Sequence, residues 1–265
     1  AEPIGVLVAE TLPHDMAIPD RSALQAGIRG ACLATGTAVL GGDTNFSNRL
    51  HMGGTGIGII REGTPMTRVG CKPGDELFST GLLGKGNAFA AARFANLAAG
   101  ECPYQPVARI PMGLMIRPFA AACMDTSDGL LATLDQLGRL NGVGFRLGNG
   151  WREHIAPDAL QVAATMGLSP WTLFAGPHGE FELIFAVRPD RVIMMTETLK
   201  SHGCVALHLG RVTGTPGVGL DGWGFLDPEA LALLRNRRLR DASDVAGFRD
   251  FLTQMEGKLK ISTYR

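Results

Sequence analysis

The sequence predicts an α/β protein of α+β sandwich type, with two domains and a helical tail. The order strand, helix, strand occurs near the amino terminus and an α/β unit follows after residue 76, which is typical of this fold class. The chain has 265 residues, 45% of them hydrophobic, which is enough for one large or two ordinary domains. The expected boundaries are 1–66 for the amino-terminal domain, 67–221 for the second domain and 222–265 for the tail.

The amino-terminal domain is predicted as a strand–helix–strand unit followed by another strand. Ser22 is placed to cap a helix whose apolar residues recur at helical spacing, and Gly36 ends it. The second strand runs into Gly-Gly-Asp-Thr at 41–44, so Asp43 is expected at a strand's carboxyl end, where α/β proteins gather ligand sites. The predicted strands are Ile4–Ala9, Thr37–Leu40 and His51–Ile60.

Glycines and prolines between Pro65 and Pro73 predict a junction between the two domains. The second domain then begins with a strand at Glu76–Thr80, a turn at Gly81–Gly86 and an alanine-rich helix over Asn87–Ala99. Later strands are predicted at Phe181–Val187 and Val205–Val212. The tail carries an arginine cluster that we interpret as a solvated helix face, made of Arg235, Arg237, Arg238 and Arg240.

Charge and cysteine content exclude several classes of partner. The formal net charge is +0, so the chain has no electrostatic footprint for nucleic acid or an anionic membrane. The 5 cysteines are dispersed without a Cys-x-x-Cys pair, which indicates reduced thiols and a cytoplasmic protein. No apolar run reaches the roughly 18 residues that span a membrane. The first residue is not Met and a strand follows almost at once, which is typical of a cut inside a domain.

The most informative stretch is residues 124–140, where two carboxylates flank a hydroxyl just before an amphipathic helix. One interpretation is structural: Asp125, Ser127 and Asp128 would accept hydrogen bonds from the first N–H groups of the helix. The other is functional, because two hard oxygen anions in this spacing suit Mg²⁺ and a nucleotide phosphate. The motif alone leaves both interpretations open.

Two further loops contain candidate residues. The stretch 81–87, Gly-Leu-Leu-Gly-Lys-Gly-Asn, lacks the spacing of a Walker A loop, so we interpret it as a structural turn with Lys85 solvated. His178 lies in an acidic, turn-rich loop beside Glu180 and Glu182, where it could orient a substrate or act as an acid or base together with Glu180. The alternative for His178 is a polar loop residue with no chemical role. Other residues interpreted as surface or core positions are Cys102, His154, His202 and His208.

Five motifs in order resemble the aminoimidazole ribonucleotide synthetase (PurM-like) superfamily, and within it most nearly the thiamine-monophosphate kinase family. They span about residues 1–220. In chain order they are Gly-Gly-Asp-Thr at 41–44, the junction from Arg68 to Asp75 leading to Thr80-Gly81, Asp-Thr-Ser-Asp-Gly-Leu at 125–130 with Gly-Val-Gly at 142–144, Glu-Leu-Ile-Phe at 182–185, and Leu-Gly-Arg-Val at 209–212.

The resemblance implies a two-domain PurM-like fold, a homodimer joined through its amino-terminal sheets, and ATP held with Mg²⁺ ions. Carried over by position, Asp43, Asp125 and Asp128 are expected to be metal ligands. Arg68, Ser127 and Thr44 are expected to contact ATP. The partners are then ATP and a small phosphorylated metabolite, with neither nucleic acid nor membrane.

Two departures from the family pattern bear on function. The family's amino-terminal Gly-Asp-Asp segment lies before the first residue here, so the amino-terminal domain is expected to be incomplete. The family's Gly-Gly-Glu-Asp-Tyr-Glu-Leu turn is replaced by 176–183, Gly-Pro-His-Gly-Glu-Phe-Glu-Leu, which changes the acceptor pocket. The leading hypothesis is an Mg²⁺-dependent, ATP-using phosphoryl-transfer enzyme. The alternatives are an ATP-dependent cyclo-ligase or amide-activating enzyme, and a non-catalytic nucleotide-binding assembly module.

Overall fold

The chain divides into two compact units in a computed structural model, which describes residues 1–94, 104–222, 224–226, 228–229 and 231–232. Unit 1 is Ala1–Pro65 and unit 2 begins at Met66. Within the described ranges, no helix is both long and apolar enough to cross a membrane. The described cysteines Cys32, Cys71, Cys123 and Cys204 form no disulfide with one another.

Unit 1 is a three-stranded sheet with one helix, in the strand order β2-β1-β3. β2 runs parallel to β1 and is reached through α1, so the predicted strand–helix–strand crossover is confirmed. β3 runs antiparallel to β1. Alternate residues of β1 face the helix, where Gln25 donates a hydrogen bond of 3.0 Å to the buried Glu10. The elements are β1 (Glu2–Pro13), α1 (Ile18–Ala34), β2 (Val39–Ser47) and β3 (His51–Ile59).

The start of α1 was predicted at the wrong residue. The helix begins at Ile18, with a proline in its first turn, and Ser22 lies inside it rather than at its cap. Proline suits this position because its fixed φ is already helical and the N–H that it lacks has no partner there. The other end agrees with the prediction, because Gly36 follows the helix with φ +64°.

The end of β2 was also predicted wrongly, and this changes the position of Asp43. β2 continues through the two glycines to Ser47, so Asp43 lies in the middle of the strand, opposite Ala9 of β1. The glycines do not break the strand but allow close pairing. A methyl group on Gly42 would overlap the carbonyl oxygen of Val8.

Unit 2 is built on a seven-stranded sheet in the order β10-β9-β6-β8-β4-β7-β5. Its neighbouring strands are antiparallel except for the pair β6 and β9. The strands are β4 (Glu76–Ser79), β5 (Ala120–Asp125), β6 (Gly144–Leu147), β7 (Leu183–Val187), β8 (Leu207–Thr213), β9 (Gly217–Leu220) and β10 (Gly224–Phe225). The helices are α2 (Lys85–Phe94), α3 (Ile110–Ile116), α4 (Leu130–Asn141), α5 (Pro157–Met166), α6 (Pro170–Ala175) and α7 (Pro189–Ser201), with a short 3₁₀ turn at Trp151–His154.

Helices cover both faces of this sheet, so the predicted sandwich is confirmed. Successive strand residues enter opposite cores: Leu77 and Ile184 pack in the core with α2, α4, α5 and α6, whereas Phe78 and Phe185 pack in the core with α3 and α7. The two phenylalanine rings stack with their centroids 5.7 Å apart. Burial of both faces fixes the register of the central strands.

The predicted elements of unit 2 are mostly present, with shifted ends. α2 begins at Lys85 rather than Asn87, and β7 begins at Leu183 because Phe181 and Glu182 belong to the preceding loop. Four helices were not predicted, although each has proline in its first turn, namely α3, α5, α6 and α7. The last residues of the predicted helix 87–99, Cys102, Trp223 and the arginine cluster of the tail lie outside the described residues.

Candidate functional site

Three loops meet at one edge of the sheet of unit 2. β4 and β5 end there and β7 begins there, as the strand pairs Ser79 with Ile184 and Asp125 with Leu183 indicate. The three segments are residues 80–87 after β4, which include the first turn of α2, residues 126–129 after β5, and residues 176–182 before β7. We call this meeting point the three-loop junction. The junction brings together the acidic motif and the His178 loop, which were predicted from the sequence as separate candidates.

Glu180 binds the other two loops to its own. Its side chain is 6% exposed, and its Oε2 accepts hydrogen bonds from the backbone N–H groups of Gly84 at 2.8 Å and Gly86 at 3.4 Å. Its Oε1 accepts one from the hydroxyl of Thr126 at 3.3 Å. A single carboxylate therefore satisfies donors from two different loops, which fixes their positions relative to each other.

The protonation of Glu180 is sensitive to pH near neutrality. Burial raises its pKa to about 7, and the charge of the nearby Glu182 adds to the rise, whereas hydrogen bonds from the N–H groups of Gly86 and Gly84 oppose it. Removal of a carboxylate from water disfavours the charged form, and these neutral donors compensate only in part.

Glu182 makes a second connection, through a partly buried ion pair. Both its oxygens contact the guanidinium of Arg109 just before α3, with the Arg109 Nε to Glu182 Oε2 distance at 2.7 Å. The hydroxyl of Thr80 donates to Oε2 at 2.6 Å. The backbone of Glu182 also exchanges hydrogen bonds with Thr126. Bidentate pairing of this kind fixes geometry as well as charge.

Glycines allow the backbones of the three loops to touch. A methyl group on Gly179 would overlap the carbonyl oxygen of Thr126, and one on Gly86 would overlap the carbonyl oxygen of Gly179. One on Gly129 would overlap the carbonyl oxygen of Gly176. No side chain would fit at these positions, so the main chains of the three segments are in direct contact.

The side chains of the acidic motif do not cap α4. Gly129 is the residue before the helix, and no side chain caps this end. Ser127 and Asp128 are exposed instead, and the carboxylate of Asp125 accepts a hydrogen bond of 3.1 Å from the N–H of Ser127. The structural interpretation of this motif as a helix cap is therefore wrong. The residue before the helix is a glycine, because a side chain at position 129 would overlap the carbonyl oxygen of Gly176. Glycine has no side chain that could cap the helix.

His178 and Phe181 lie on the same loop. The backbone N–H of His178 donates to the side-chain oxygen of the buried Asn87 at 2.9 Å, and the amide nitrogen of Asn87 donates to the carbonyl of Leu173 at 2.7 Å. Asn87 therefore ties the His178 loop to α6. Phe181 is 46% exposed.

The remaining candidates lie elsewhere in the two units. Asp43 is exposed on β2 of unit 1, and Asn45 donates to its carboxylate at 2.6 Å. Thr44 is the next residue of the strand, and its hydroxyl donates to Glu10 at 3.0 Å on the face that carries α1. In unit 2, Arg68 is exposed and its carbonyl accepts a hydrogen bond from Asn141.

No three Asp, Glu, His or Cys side chains of the described ranges are grouped closely enough to hold a metal ion by themselves. Asp125 and Asp128 are nevertheless suitable ligands for Mg²⁺, which is commonly bound by one or two carboxylates with water and substrate phosphates completing its shell. The arrangement therefore fits a metal that arrives with a nucleotide.

Sequence reasoning missed the residues that support the junction. Arg109 stands in no recognisable motif, and Thr80, Thr126 and Asn87 lie in or beside motifs whose other residues were singled out; their partners come from distant segments that the fold brings together. Lys85, which was interpreted as solvated, is paired with Asp158 at 2.9 Å. His208 is exposed, with its Nε2 2.6 Å from Glu76.

Comparison with known proteins agrees with this architecture. No protein-family model matches the chain. The thiamine-monophosphate kinase of Methanospirillum hungatei is 31% identical over 208 residues, which cover 78% of this chain and 68% of that one. The enzyme of the same name from Halobacterium salinarum is 32% identical over 212 residues, covering 78% and 69%.

Solved structures share the fold. Thiamine monophosphate kinase from Aquifex aeolicus aligns with a TM-score of 0.70 at 23% identity, covering 83% of this chain and 74% of that one. A structure of AaThiL complexed with AMPPCP and TMP has a TM-score of 0.64 at 23% identity, covering 83% and 71%. The fold and these likenesses define a PurM-like, ATP-using phosphoryl-transfer enzyme. More specifically, the chain belongs to the thiamine-monophosphate kinase family.

Proposed function

We propose that this chain transfers the terminal phosphoryl group of ATP to thiamine monophosphate, giving thiamine diphosphate and ADP. Membership of the kinase family supports the reaction class, and relatives of that name support the acceptor. The observation that carries the proposal is the position of Ser127 and Asp128. Their exposed side chains stand on a turn whose base, at Thr126, is buried and bonded to Glu180 and Glu182. A rigid base under exposed oxygen ligands suits the precise positioning that phosphoryl transfer needs.

The proposed reaction needs little proton transfer from the protein. An oxygen of the acceptor phosphate forms a bond to the terminal phosphorus of ATP, the bond from that phosphorus to its bridging oxygen breaks, and the electron pair leaves with ADP. A phosphate monoester has its second pKa near 6, so the attacking oxygen is already largely deprotonated at neutral pH. The protein mainly has to hold the two phosphates in line and balance their charge.

We assign Asp125 and Asp128 as ligands for Mg²⁺, which when bound would neutralise charge on the nucleotide phosphates. Both provide the hard oxygen atoms that this ion prefers. Asp43 is assigned as a further ligand from the family resemblance, and its exposed position on β2 leaves its carboxylate accessible.

Ser127 and Arg68 are proposed as nucleotide contacts, since both are exposed and carry donors for phosphate oxygens. For Thr44 the proposal is narrower. Its hydroxyl already donates to Glu10, so a nucleotide contact from this residue would come from its backbone.

The roles proposed for His178 and Glu180 differ from each other. Glu180 is buried and accepts hydrogen bonds from three donors, so it acts as a positioning residue that holds the loops in place. His178 is half-buried on the loop that Asn87 anchors, and it is the residue that we assign to orient the acceptor phosphate.

The protein is also proposed to be a cytoplasmic homodimer joined through unit 1. Many large apolar side chains of this unit are exposed, which is typical of a surface that another protein covers. A second copy of the chain is the partner that the family resemblance indicates. The exposed side chains include Ile4, Leu7, Val39, Leu40, Phe46, Met52, Ile57, Ile59 and Ile60.

Substitution of Asp125 by Asn tests the proposed site. The change keeps size and the hydrogen bond from Ser127 but removes the charge that would hold the metal. We expect kcat/KM for ATP-dependent turnover to fall on the order of 100-fold or more while the unfolding temperature stays near that of the wild type. Asp190→Asn is the matched control, because Asp190 is an exposed carboxylate at the start of α7.

Product analysis separates this function from the two alternatives. Release of inorganic phosphate with no phosphorylated acceptor would indicate an ATP-dependent cyclo-ligase or amide-activating enzyme. Metal-dependent ATP binding without any turnover would indicate a nucleotide-binding assembly module. Wild-type turnover in Asp125→Asn would contradict the assignment of this carboxylate.

A further inference from the structure

Phe181 has an unusual backbone conformation for its residue type. Its φ is +62°, and it is the single non-glycine residue with positive φ among the ranges that the structure describes. The left-handed region is unfavourable for a residue with a bulky side chain, and such residues persist only where their surroundings enforce the conformation.

The residues on either side of Phe181 enforce it. Glu180 is fixed by Gly84, Gly86 and Thr126, and Glu182 is fixed by the ion pair with Arg109 and by Thr80. Both glutamates are buried. Because both flanking side chains point into the protein, the chain between them turns sharply, and the ring of Phe181 is directed outward with 46% of the residue exposed.

The residues on both sides of Phe181 are hydrogen-bonded to the acidic motif. Thr126 donates its hydroxyl to Glu180 and exchanges backbone and side-chain hydrogen bonds with Glu182, so both neighbours of Phe181 are attached to it. The next residues after Thr126 are the exposed Ser127 and Asp128. Gly179, two residues before Phe181, also donates its N–H to the carbonyl of Ser127 at 3.3 Å.

We propose that Phe181 is the platform on which the aromatic ring of the acceptor lies, and that it determines specificity for flat, ring-bearing monophosphates. This inference rests on the proposed function. An exposed ring on the loop that carries His178 can bind the apolar part of a substrate whose phosphate His178 orients. Thiamine monophosphate has two heteroaromatic rings, and its thiazolium ring is cationic, so an aromatic face attracts it by stacking and by the cation–π interaction.

The alternative is that Phe181 serves only the fold, and glycine substitution separates the two roles. Phe181→Gly removes the ring and also relieves the unfavourable φ, because glycine adopts positive φ readily. A structural role for the ring therefore predicts loss of stability. The proposed role predicts an unfolding temperature at or above that of the wild type together with weaker acceptor binding.

The experiment measures the KM for thiamine monophosphate and for ATP in Phe181→Gly, Phe181→Tyr and the control Leu140→Ala. Leu140 is similarly exposed, at 48%, and lies in the last turn of α4. In Phe181→Gly the KM for thiamine monophosphate should rise roughly tenfold while the KM for ATP stays unchanged. Phe181→Tyr and Leu140→Ala should match the wild type. An unchanged acceptor KM in Phe181→Gly, or an equal rise in both KM values, would overturn the proposal.

A binding measurement covers the case in which the proposed acceptor is wrong. Calorimetric titrations of wild type and Phe181→Gly would use thiamine monophosphate, pyridoxal phosphate and the ring-free glycerol phosphate as probes. If the wild type turns over none of these compounds but binds a ring-bearing probe more tightly than Phe181→Gly does, the role of Phe181 is supported and the proposed acceptor is wrong. If no ring-bearing probe binds in a way that depends on Phe181, the platform is refuted.

Discussion

Two buried glutamates separated by one residue have opposite electrostatic surroundings in the three-loop junction. Glu182 faces the cation of Arg109, whereas Glu180 accepts its hydrogen bonds from neutral donors, two backbone N–H groups and a hydroxyl. Burial raises the pKa of a carboxylate, and neutral donors offset this rise only in part. At the residue scale, burial therefore makes the protonation of Glu180 sensitive to pH near neutrality.

The raised pKa of Glu180 should make the stability of the protein depend on pH. Because burial raises its pKa to about 7 from an ordinary value of 4.5, the folded state binds more protons than the unfolded state between these limits. The stabilising contribution of this group is therefore complete below pH 4.5 and is lost as the pH rises through about 7. Integrated over this window, the loss is on the order of 3 kcal/mol.

Glu180→Gln should remove this part of the pH dependence, because glutamine does not ionise. We expect the free energy of unfolding of the variant, relative to the wild type, to increase between pH 5 and pH 8. Urea titrations in EDTA at several pH values would measure it. Glu197→Gln, at an exposed position on α7, is the matched control. Parallel pH profiles for wild type and Glu180→Gln would contradict the raised pKa.

Removal of Arg109 should destabilise the protein by leaving Glu182 buried without its cation. We expect Arg109→Ala to lower the free energy of unfolding by about 3 kcal/mol. The control is Arg188→Ala, since Arg188 and Asp190 form an exposed pair 2.9 Å apart that should contribute less than about 1 kcal/mol. Equal effects of the two substitutions in urea unfolding would show that the Glu182 pair does not hold the junction.

At the element scale, glycine has different meanings in different segments, and the sequence does not distinguish them. The glycines of β2 were interpreted as the end of a strand, yet Gly42 permits close pairing with Val8 and the strand continues. Gly36, by contrast, follows a helix with positive φ, as the pattern predicts, and Gly142 does the same after α4. Only the position of a neighbouring chain decides between these roles, and that neighbour is distant in sequence.

Gly179→Ala tests whether backbone contact holds the junction. The added methyl group would overlap the carbonyl oxygen of Thr126, so the loop has to move away from the acidic motif. We expect a loss of stability of about 3 kcal/mol, comparable to other cases of steric overpacking. Gly148→Ala is the control, because its methyl group would meet only the carbonyl oxygen of Leu209, at 3.8 Å. Thermal unfolding of both variants provides the comparison, and an unaffected Gly179→Ala would refute close packing here.

Part of the candidate site could be predicted from the sequence, and part could not. Asp125, Ser127 and Asp128 are neighbours in sequence and precede a helix with a clear apolar repeat, so the motif and its position were accessible. The pairing of Glu182 with Arg109 joins residues far apart in the chain and depends on the order of strands in the sheet. Local periodicity predicts elements, but side-chain partners across loops follow from tertiary packing.

At the scale of the whole molecule, the units differ in how well they bury their apolar residues. Unit 2 has two cores, one on each face of its sheet, whereas every residue of β3 in unit 1 is exposed. A sheet with an uncovered apolar face is typical of an interface between subunits. The proposed homodimer would bury this surface.

Ile57→Glu should therefore weaken the dimer. Ile57 lies on β3 and is 37% exposed, and a charge there would lose hydration in an interface. We expect sedimentation velocity to show a wild-type dimer and a larger monomer fraction in Ile57→Glu. Ile193→Glu, on the exposed side of α7, is the control and should sediment like the wild type. A wild-type protein that is monomeric at all concentrations would contradict the proposed dimer.

We propose that the three-loop junction supports phosphoryl transfer from ATP to thiamine monophosphate. The most direct measurement incubates the purified chain with both compounds and Mg²⁺ and follows the products by phosphorus NMR. We expect equal amounts of thiamine diphosphate and ADP in the wild type, and formation of both slower by on the order of 100-fold or more in Asp125→Asn. Formation of ADP and inorganic phosphate without thiamine diphosphate, or equal product in both proteins, would contradict this proposal.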